Sequence, residues 1–215
     1  MSKTQFSCFY SYKGGVGRSL LLANLAFIYA NQGKKVLILD LDLEAPGQQQ
    51  TELFADEFAA QSSTQYNDLF NLFEDYTDVQ KDKEKIRLFD PELSRYMVRS
   101  GIFERTHTKH TKSQYGSIHL LPATVKCDNH YQSKVAEWTW DTFYNDYNGA
   151  AFWHILKEKA IAAGFDKVLI DSRTGFNEVF YISSLVLADT FVCVSALNRQ
   201  NVEGIQRAVE TLEQR

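Results

Sequence analysis

Short continuous apolar runs alternate with longer segments of helical period along this chain. QFSCFYS, Gln5 to Ser11, reads as a strand that feeds a glycine-rich loop. RSLLLANLAFIYANQG, Arg18 to Gly33, reads as a helix. Leu21, Leu25 and Ile28 form its apolar face, Leu22 and Ala26 lie at the edge of that face, and Gly33 is the stop. KVLILD, Lys35 to Asp40, is a second strand, ending in a carboxylate. Strand, loop, helix and strand make one βαβ unit. Pro46-Gly47 marks a loop, after which the pattern is irregular from Gln48 to about Tyr115. Within it, Asp78–Val98 predicts one or two short helices broken at Pro91, and Thr108–Ser117 predicts a loop.

Regularity returns with IHLLPA, Ile118 to Ala123, a strand stopped by Pro122. Trp138–Ala163 is mostly helical in pattern. DKVLIDSRTG, Asp166 to Gly175, repeats the arrangement of strand, carboxylate and loop. Glu178–Leu187 predicts a helix, Thr190–Ser195 a strand and Asn201–Gln214 the final helix. The strands are unbroken apolar runs without clean alternation, which predicts a sheet covered on both faces and mostly parallel, an α/β fold.

Composition narrows this only a little. The 215 residues are 44% hydrophobic, enough for one sizeable core and one inserted subregion. A formal charge of −4, from 27 acidic and 23 basic residues, gives no support to a polybasic nucleic-acid binder. Cys8, Cys127 and Cys193 are far apart, without metal-ligand spacing, and read as reduced cytoplasmic thiols. No run reaches about 18 apolar residues, so no integral membrane segment is expected. The N-terminus lacks a secretory pattern.

The chemistry concentrates in SYKGGVGRS, Ser11 to Ser19. Gly14, Gly15 and Gly17 let backbone amides converge on an anion, and the following helix adds its N-terminal amides and dipole. Ser19 offers a hydroxyl to Mg²⁺. Against the strict G-x-x-x-x-G-K-[ST] pattern, Tyr12 stands where the first glycine belongs and Arg18 replaces the lysine. The loop alone is therefore either a nucleotide site or a structural βα turn. Asp40 and Asp171 end predicted parallel strands, where α/β sheets place ligands. With Asp42 they can hold Mg²⁺ and position a water, or can merely cap the chain.

Lys13-Gly-Gly-Val-Gly-Arg-Ser19 resembles the deviant Walker A loop, K-G-G-x-G-K-[ST], of the MinD/ParA family, SIMIBI-class P-loop ATPases. LDLDLEAPG, Leu39 to Gly47, is similar to that family's switch I. LIDSRTG, Leu169 to Gly175, resembles its Walker B and switch II segment, with Ser-Arg-Thr where the family usually has x-Pro-Pro or x-Pro-Ala. LPAT, Leu121 to Thr124, and ALNRQNVEGI, Ala196 to Ile205, add weaker matches, and residues 48–115 are unmatched. A branch with K-G-G-V-G-R-[ST], D-x-E-A-P-G and D-S-R-T-G is also similar.

The resemblance implies a three-layer P-loop fold with a mostly parallel sheet flanked by helices. It implies ATP and Mg²⁺ as cofactors. Gly14, Gly15, Val16, Gly17, Arg18, Ser19 and Leu20 would hold the nucleotide. Ser19, Asp40 and Asp171 would serve the metal. Lys13 would reach the partner's phosphates across a nucleotide-dependent homodimer, Asp42 would orient the attacking water, and Arg18 would take the place of the P-loop lysine. The implied activity is a dimerising switch with slow ATP hydrolysis stimulated by a protein partner. The expected organisation is one nucleotide-binding domain over 1–215, elaborated at about 48–115, and either a truncated piece or the N-terminal module of a longer protein.

Rival readings remain open at this point. Arg18 keeps charge but is larger and differently aimed than lysine, which favours a nucleotide-binding scaffold without turnover. A metabolic enzyme on the same fold would use the aromatic stretch Tyr66–Phe73 as a substrate pocket, where a core patch or dimer surface is the plainer reading. DNA partitioning would need Arg105, Lys109, Lys112 and Lys126 to cluster. His107 and His110 lack a third ligand for a metal. Ser172 lacks the G-x-S-x-G setting of a nucleophile. Arg173 is either a second phosphate-charge stabiliser or an ordinary salt-bridge partner.

Overall fold

The computed structural model of the protein describes residues 3–59, 67–81, 89–107 and 115–214. Among these, six strands form one sheet in the order β3-β4-β2-β5-β1-β6. They are β1 (Gln5–Tyr10), β2 (Lys35–Asp40), β3 (Val98–Arg99), β4 (Ser117–Leu121), β5 (Lys167–Asp171) and β6 (Thr190–Cys193). All pairings are parallel except β3 with β4. The helices are α1 (Arg18–Asn31), α2 (Ala55–Ala59), α3 (Leu69–Lys81), α4 (Gly101–His107), α5 (Asn129–Glu137), α6 (Trp140–Asn145), α7 (Gly149–Ala162), α8 (Glu178–Tyr181) and α9 (Arg199–Glu213). α8 runs on as a π-helix over Ile182–Leu187.

The unbroken apolar strands divide between two cores. Val36 and Ile38 of β2 point to one face, with Leu22, Ala26 and Ala30 of α1 and Ile118 and Leu120 of β4. Leu37 and Leu39 point to the other, with Leu121, Val168 and Ile170 and the side chains of α3 and α5–α7. A two-residue period inside an all-apolar run is what a sheet covered on both faces requires. The second face is aromatic. Phe73 meets Trp138, Trp140, Phe143, Phe152 and Trp153 at centroid distances of 4.8 to 5.9 Å. Each such pair adds about 0.5–1.5 kcal/mol beyond its area. Phe70 and Phe73, from the stretch that could have lined a substrate pocket, are buried core residues, and Tyr66 lies outside the described residues.

Several expectations shift in detail. α1 buries Leu22, Ala23, Ala26 and Ala30, while Leu21 and Ile28 are exposed. The small side chains let the helix approach the sheet closely, so the bulky face turns outward. Gly33 does end the helix. It adopts φ 82°, and the N–H groups of Gly33 and Lys34 return to the Ala30 and Tyr29 carbonyls. The expected helical span 138–163 is two helices, parted at Asn148, whose φ is 53°. α5 and β3 carry no signal strong enough for the sequence reading. Of the short helices expected around Pro91, α3 reaches into the stretch from its N-terminal side and a 3₁₀ turn follows at Leu93–Tyr96. Residues 82–88 and 108–114 lie outside the described residues. So do Lys109, Lys112, His110 and the side chains of Arg105 and His107. No helix among the described residues is long and apolar enough to cross a membrane.

His119 in β4 has a testable electrostatic position. Its ring meets Phe165 edge-on, and its Nδ1 is buried without a hydrogen-bond partner among the described residues. Burial, with Lys35 and Arg99 nearby, pushes its pKa down to about 4 from 6.5. The folded state therefore favours neutral histidine. The stability this contributes is complete above pH 6.5 and is lost as pH falls toward 4. Urea unfolding across that window should show a shallower acid loss in His119→Phe than in the wild type. Parallel slopes for the two proteins would contradict this assignment.

Candidate functional site

The site begins with strand register. β2 and β5 pair in parallel with Asp40 opposite Asp171, so the two carboxylates sit abreast where the strands end. Phe9 of β1 is also in register with Asp171, which brings the loop between β1 and α1 to the same place. That loop turns through left-handed backbone at Gly15 (φ 75°) and Gly17 (φ 84°), where a side chain would be strained. A Cβ on Gly14, Gly15 or Gly17 would meet nothing within 4 Å. Gly17 caps α1 without a side-chain hydrogen bond, and the helix has no acidic residue in its first turn. Its N-terminal amides and dipole therefore face the loop without a resident carboxylate from their own turn.

Both carboxylates are buried, and donors converge on each. Asp40 accepts the N–H groups of Asp42 (3.1 Å), Gly47 (3.3 Å) and Gln48 (3.2 Å), so the segment after β2 is folded around it. Asp171 accepts the Ser19 hydroxyl at 2.7 Å, the Gln48 amide at 2.5 Å and the Nε–H of Arg18. Desolvation, then the neighbouring Asp171, push the Asp40 pKa up to about 8. Burial also raises that of Asp42, against the pull of Arg18.

Arg18 is 8% exposed and faces inward. Besides Asp171 it reaches Ser11 Oγ at 3.2 Å and Asp42 Oδ2 at 3.4 Å. A planar fork can serve three acceptors in this way; an ammonium group presents a different geometry. Lys13 is exposed, and its ammonium lies 5.5 Å from the Tyr12 ring centroid. Val16 is half-buried and Leu20 exposed. The structure thus brings together Arg18, Ser19, Asp40, Asp42 and Asp171 under the loop of Gly14, Gly15 and Gly17. Lys13 and Leu20 stand at its rim. Arg173 pairs with Glu44 across the outer edge, as an ordinary salt bridge would.

Three contributors escaped the sequence reading. Gln48 is fully buried, its amide also 3.4 Å from the Ser19 carbonyl, and its Oε1 has no partner among the described residues. Its one sequence signal is position, directly after Pro46-Gly47. Tyr131 of α5 donates its hydroxyl to the Leu43 carbonyl at 2.7 Å and so pins the segment carrying Asp42. Gly204 of α9 receives the Tyr12 ring, since a Cβ there would lie 2.1 Å from the ring's Cγ.

Ser19, Asp40, Asp171 and Gln48 supply only oxygen donors at or beside the carboxylate pair. That is the chemistry of a hard divalent cation. The buried, unpartnered Gln48 Oε1 is a further acceptor suited to a cation's water shell. The residues present therefore fit Mg²⁺. No cluster of three His, Cys, Asp or Glu side chains among the described residues forms a metal cage by itself.

Comparison with solved structures places the architecture. The MinD protein of Pyrococcus horikoshii in complex with Mg-ADP matches with TM-score 0.59 at 16% identity, over 98% of this chain and 65% of that one. An aspartate-to-alanine variant of Cyanothece McdA, in complex with ATP, matches with TM-score 0.58 at 16% identity, over 100% and 66%. A cobyrinic acid a,c-diamide synthase from Mycobacterium smegmatis, with bound ADP and magnesium, matches with TM-score 0.56 at 17% identity, over 98% and 69%. The chain spans just under two thirds of the first two. The fold is that of the MinD/ParA-like, SIMIBI-class P-loop proteins. A family profile described as an AAA domain matches residues 4–215, and the chain belongs to that family. Comparison with curated proteins gives no match.

Tyr12 and Gly204 make a pair that can be tested directly. In the wild-type background Gly204→Ala should destabilise by about 1–3 kcal/mol in urea unfolding, because the ring must move. In a Tyr12→Ala background the same change should be neutral, or stabilising by up to about 1 kcal/mol from helix propensity. Equal effects in both backgrounds would show that the two do not interact.

Proposed function

We propose that this chain binds Mg-ATP, dimerises around it and hydrolyses it slowly, as a molecular switch read by a protein partner. The observation that carries the reading is the convergence of Arg18, Ser19, Asp40, Asp42, Asp171 and Gln48 beneath a glycine loop that opens a helix. In this reading the backbone of Gly14–Gly17 and the first turn of α1, through Leu20, cradle the phosphates. Ser19 and Asp171 hold the cation side, and Asp40 supports them from the neighbouring strand. Asp42 orients the attacking water, and burial, which raises its pKa, suits the carboxyl to accepting a proton. Bound Mg²⁺ would neutralise charge on the phosphates as the bond to the leaving group opens.

Lys13 is the residue that would make the site depend on a second copy. It is exposed and has no carboxylate partner among the described residues. Exposed apolar side chains lie at the loop: Leu20 in the first turn of α1, and Phe176, which meets the Tyr12 ring edge-on at 6.1 Å. Such a rim suits an apposed protein surface. A second reading, a nucleotide-binding scaffold without turnover, is favoured by one observation. Arg18 is held by carboxylates and a hydroxyl beneath the loop.

Phosphate release from Mg-ATP, measured against protein concentration, separates the two readings. The switch should show specific activity that rises with concentration. Lys13→Ala should lower it by about a hundredfold, as loss of one transition-state charge contact does. Its folding stability should change by less than about 0.5 kcal/mol. Specific activity independent of concentration would remove the dimer, and nucleotide binding without phosphate release would leave the scaffold.

A further inference from the structure

Arg18 takes an unexpected place in this site. The residue in the position of a P-loop lysine is expected to serve phosphate. Here the guanidinium meets the carboxylates of Asp171 and Asp42 on the cation side of the site, and only the Ser11 hydroxyl at the start of the loop. Asp171 also receives Ser19 and Gln48, so three donors occupy a carboxylate with about four acceptor sites. A divalent cation approaching this carboxylate meets a fixed positive charge in contact with it, in a buried site where screening is weak. The same cation would be welcomed once that charge had moved.

Resting on the nucleotide-binding reading above, we propose that Arg18 is the resident counter-ion of Asp171 and Asp42 and makes metal entry conditional on nucleotide. Without nucleotide the guanidinium neutralises the carboxylates and keeps divalent cations out. Phosphate oxygens accept bidentate guanidinium bonds as well as carboxylates do. A nucleotide entering the loop therefore draws Arg18 upward from Asp171 and Asp42, and the vacated carboxylate then accepts the hydrated cation. Gln48 stays on Asp171 and offers its unpartnered Oε1 to that water shell. Nucleotide and metal thereby assist one another through a single side chain. The coupling is reciprocal by thermodynamic necessity. Arg18 acts here as a positioning residue, setting the order and strength of metal binding.

The test uses the full chain, with Mn²⁺ as the probe for the cation site and ADP as the nucleotide. Electron paramagnetic resonance of free Mn²⁺ gives metal affinity without nucleotide. Arg18→Gln should bind Mn²⁺ about tenfold more tightly than wild type, a step typical of site coupling. Arg18→Lys, which keeps a charge and guards against a variant that fails to fold, should fall between them. In the wild type, the Arg18 Nε–H resonance, identified by its loss in Arg18→Lys, should be unchanged by Mg²⁺ alone and should shift with Mg²⁺ and ADP together. Equal Mn²⁺ affinities in wild type and both variants, with ADP still bound, would overturn the counter-ion role alone. So would an Nε–H resonance unmoved by bound Mg-ADP. Failure of wild type to bind ADP, with or without Mg²⁺, would overturn the nucleotide reading and this inference with it.

Discussion

Two buried carboxylates on adjacent parallel strands set the terms for everything around them. Strand register fixes Asp40 beside Asp171, and neither can move away without breaking the β2–β5 pairing. Desolvation opposes ionisation of Asp40, and the neighbouring charge of Asp171 adds to the cost. The chain answers with donors. Three backbone N–H groups from residues 42–48 close on Asp40, and three side chains, two from the first turn of α1 and one from the 3₁₀ turn at Gln48–Gln50, close on Asp171. The path of the chain after β2 is thus dictated by a carboxylate that must be solvated by protein. The loop before α1 is anchored to the same pair through Arg18 and Ser19.

The two departures from a strict phosphate-loop pattern each have a distant partner. Arg18 works because its fork can span Asp171, Ser11 and Asp42, which lie on three different segments. Tyr12 works because α9 presents a bare backbone at Gly204, almost two hundred residues later in the chain. Phe176 meets the Tyr12 ring edge-on at 6.1 Å and completes its niche. The substitutions are therefore built into the packing of this chain. That favours a site altered in how it works over a site merely decayed.

Much of this was legible in the sequence because it rests on local pattern. Apolar runs ending in Asp40 and Asp171, and glycines before a helix, are short-range signals. The mostly parallel sheet followed from strands with no polar face. What was not legible depends on tertiary approach. Which face of α1 would be buried was decided by how closely Ala23, Ala26 and Ala30 let it approach the sheet, against the pull of Leu21 and Ile28. Gln48 and Tyr131 have no periodicity or motif of their own, and Gly204 lies in a weakly matching segment, Ala196 to Ile205, that says nothing of its contact with Tyr12. Each acquires its place only when a segment far away arrives. Arg18 was read in the right place, but the direction of its fork is a three-dimensional property.

The support and the movable part of the site are held by different forces. Beneath it, the aromatic cluster around Phe73 and the two-sided sheet give a platform that small energies cannot shift. The segment carrying Asp42 is held to that platform by the buried Leu41 and Leu43, the Tyr131 hydroxyl, the Glu44–Arg173 pair at the surface, and Arg18. A single hydrogen bond of this kind contributes about 1 kcal/mol net, and an exposed ion pair less. The buried Arg18 pair is stronger, about 3–5 kcal/mol to break, so it yields only to a ligand that offers the guanidinium equivalent charged acceptors, as phosphate does. On the proposed reading, a ligand arriving at the glycine loop redirects Arg18, and through it Asp42, without disturbing the sheet. Position is fixed by apolar packing and response by a few polar contacts, which is the division the proposed switch would require.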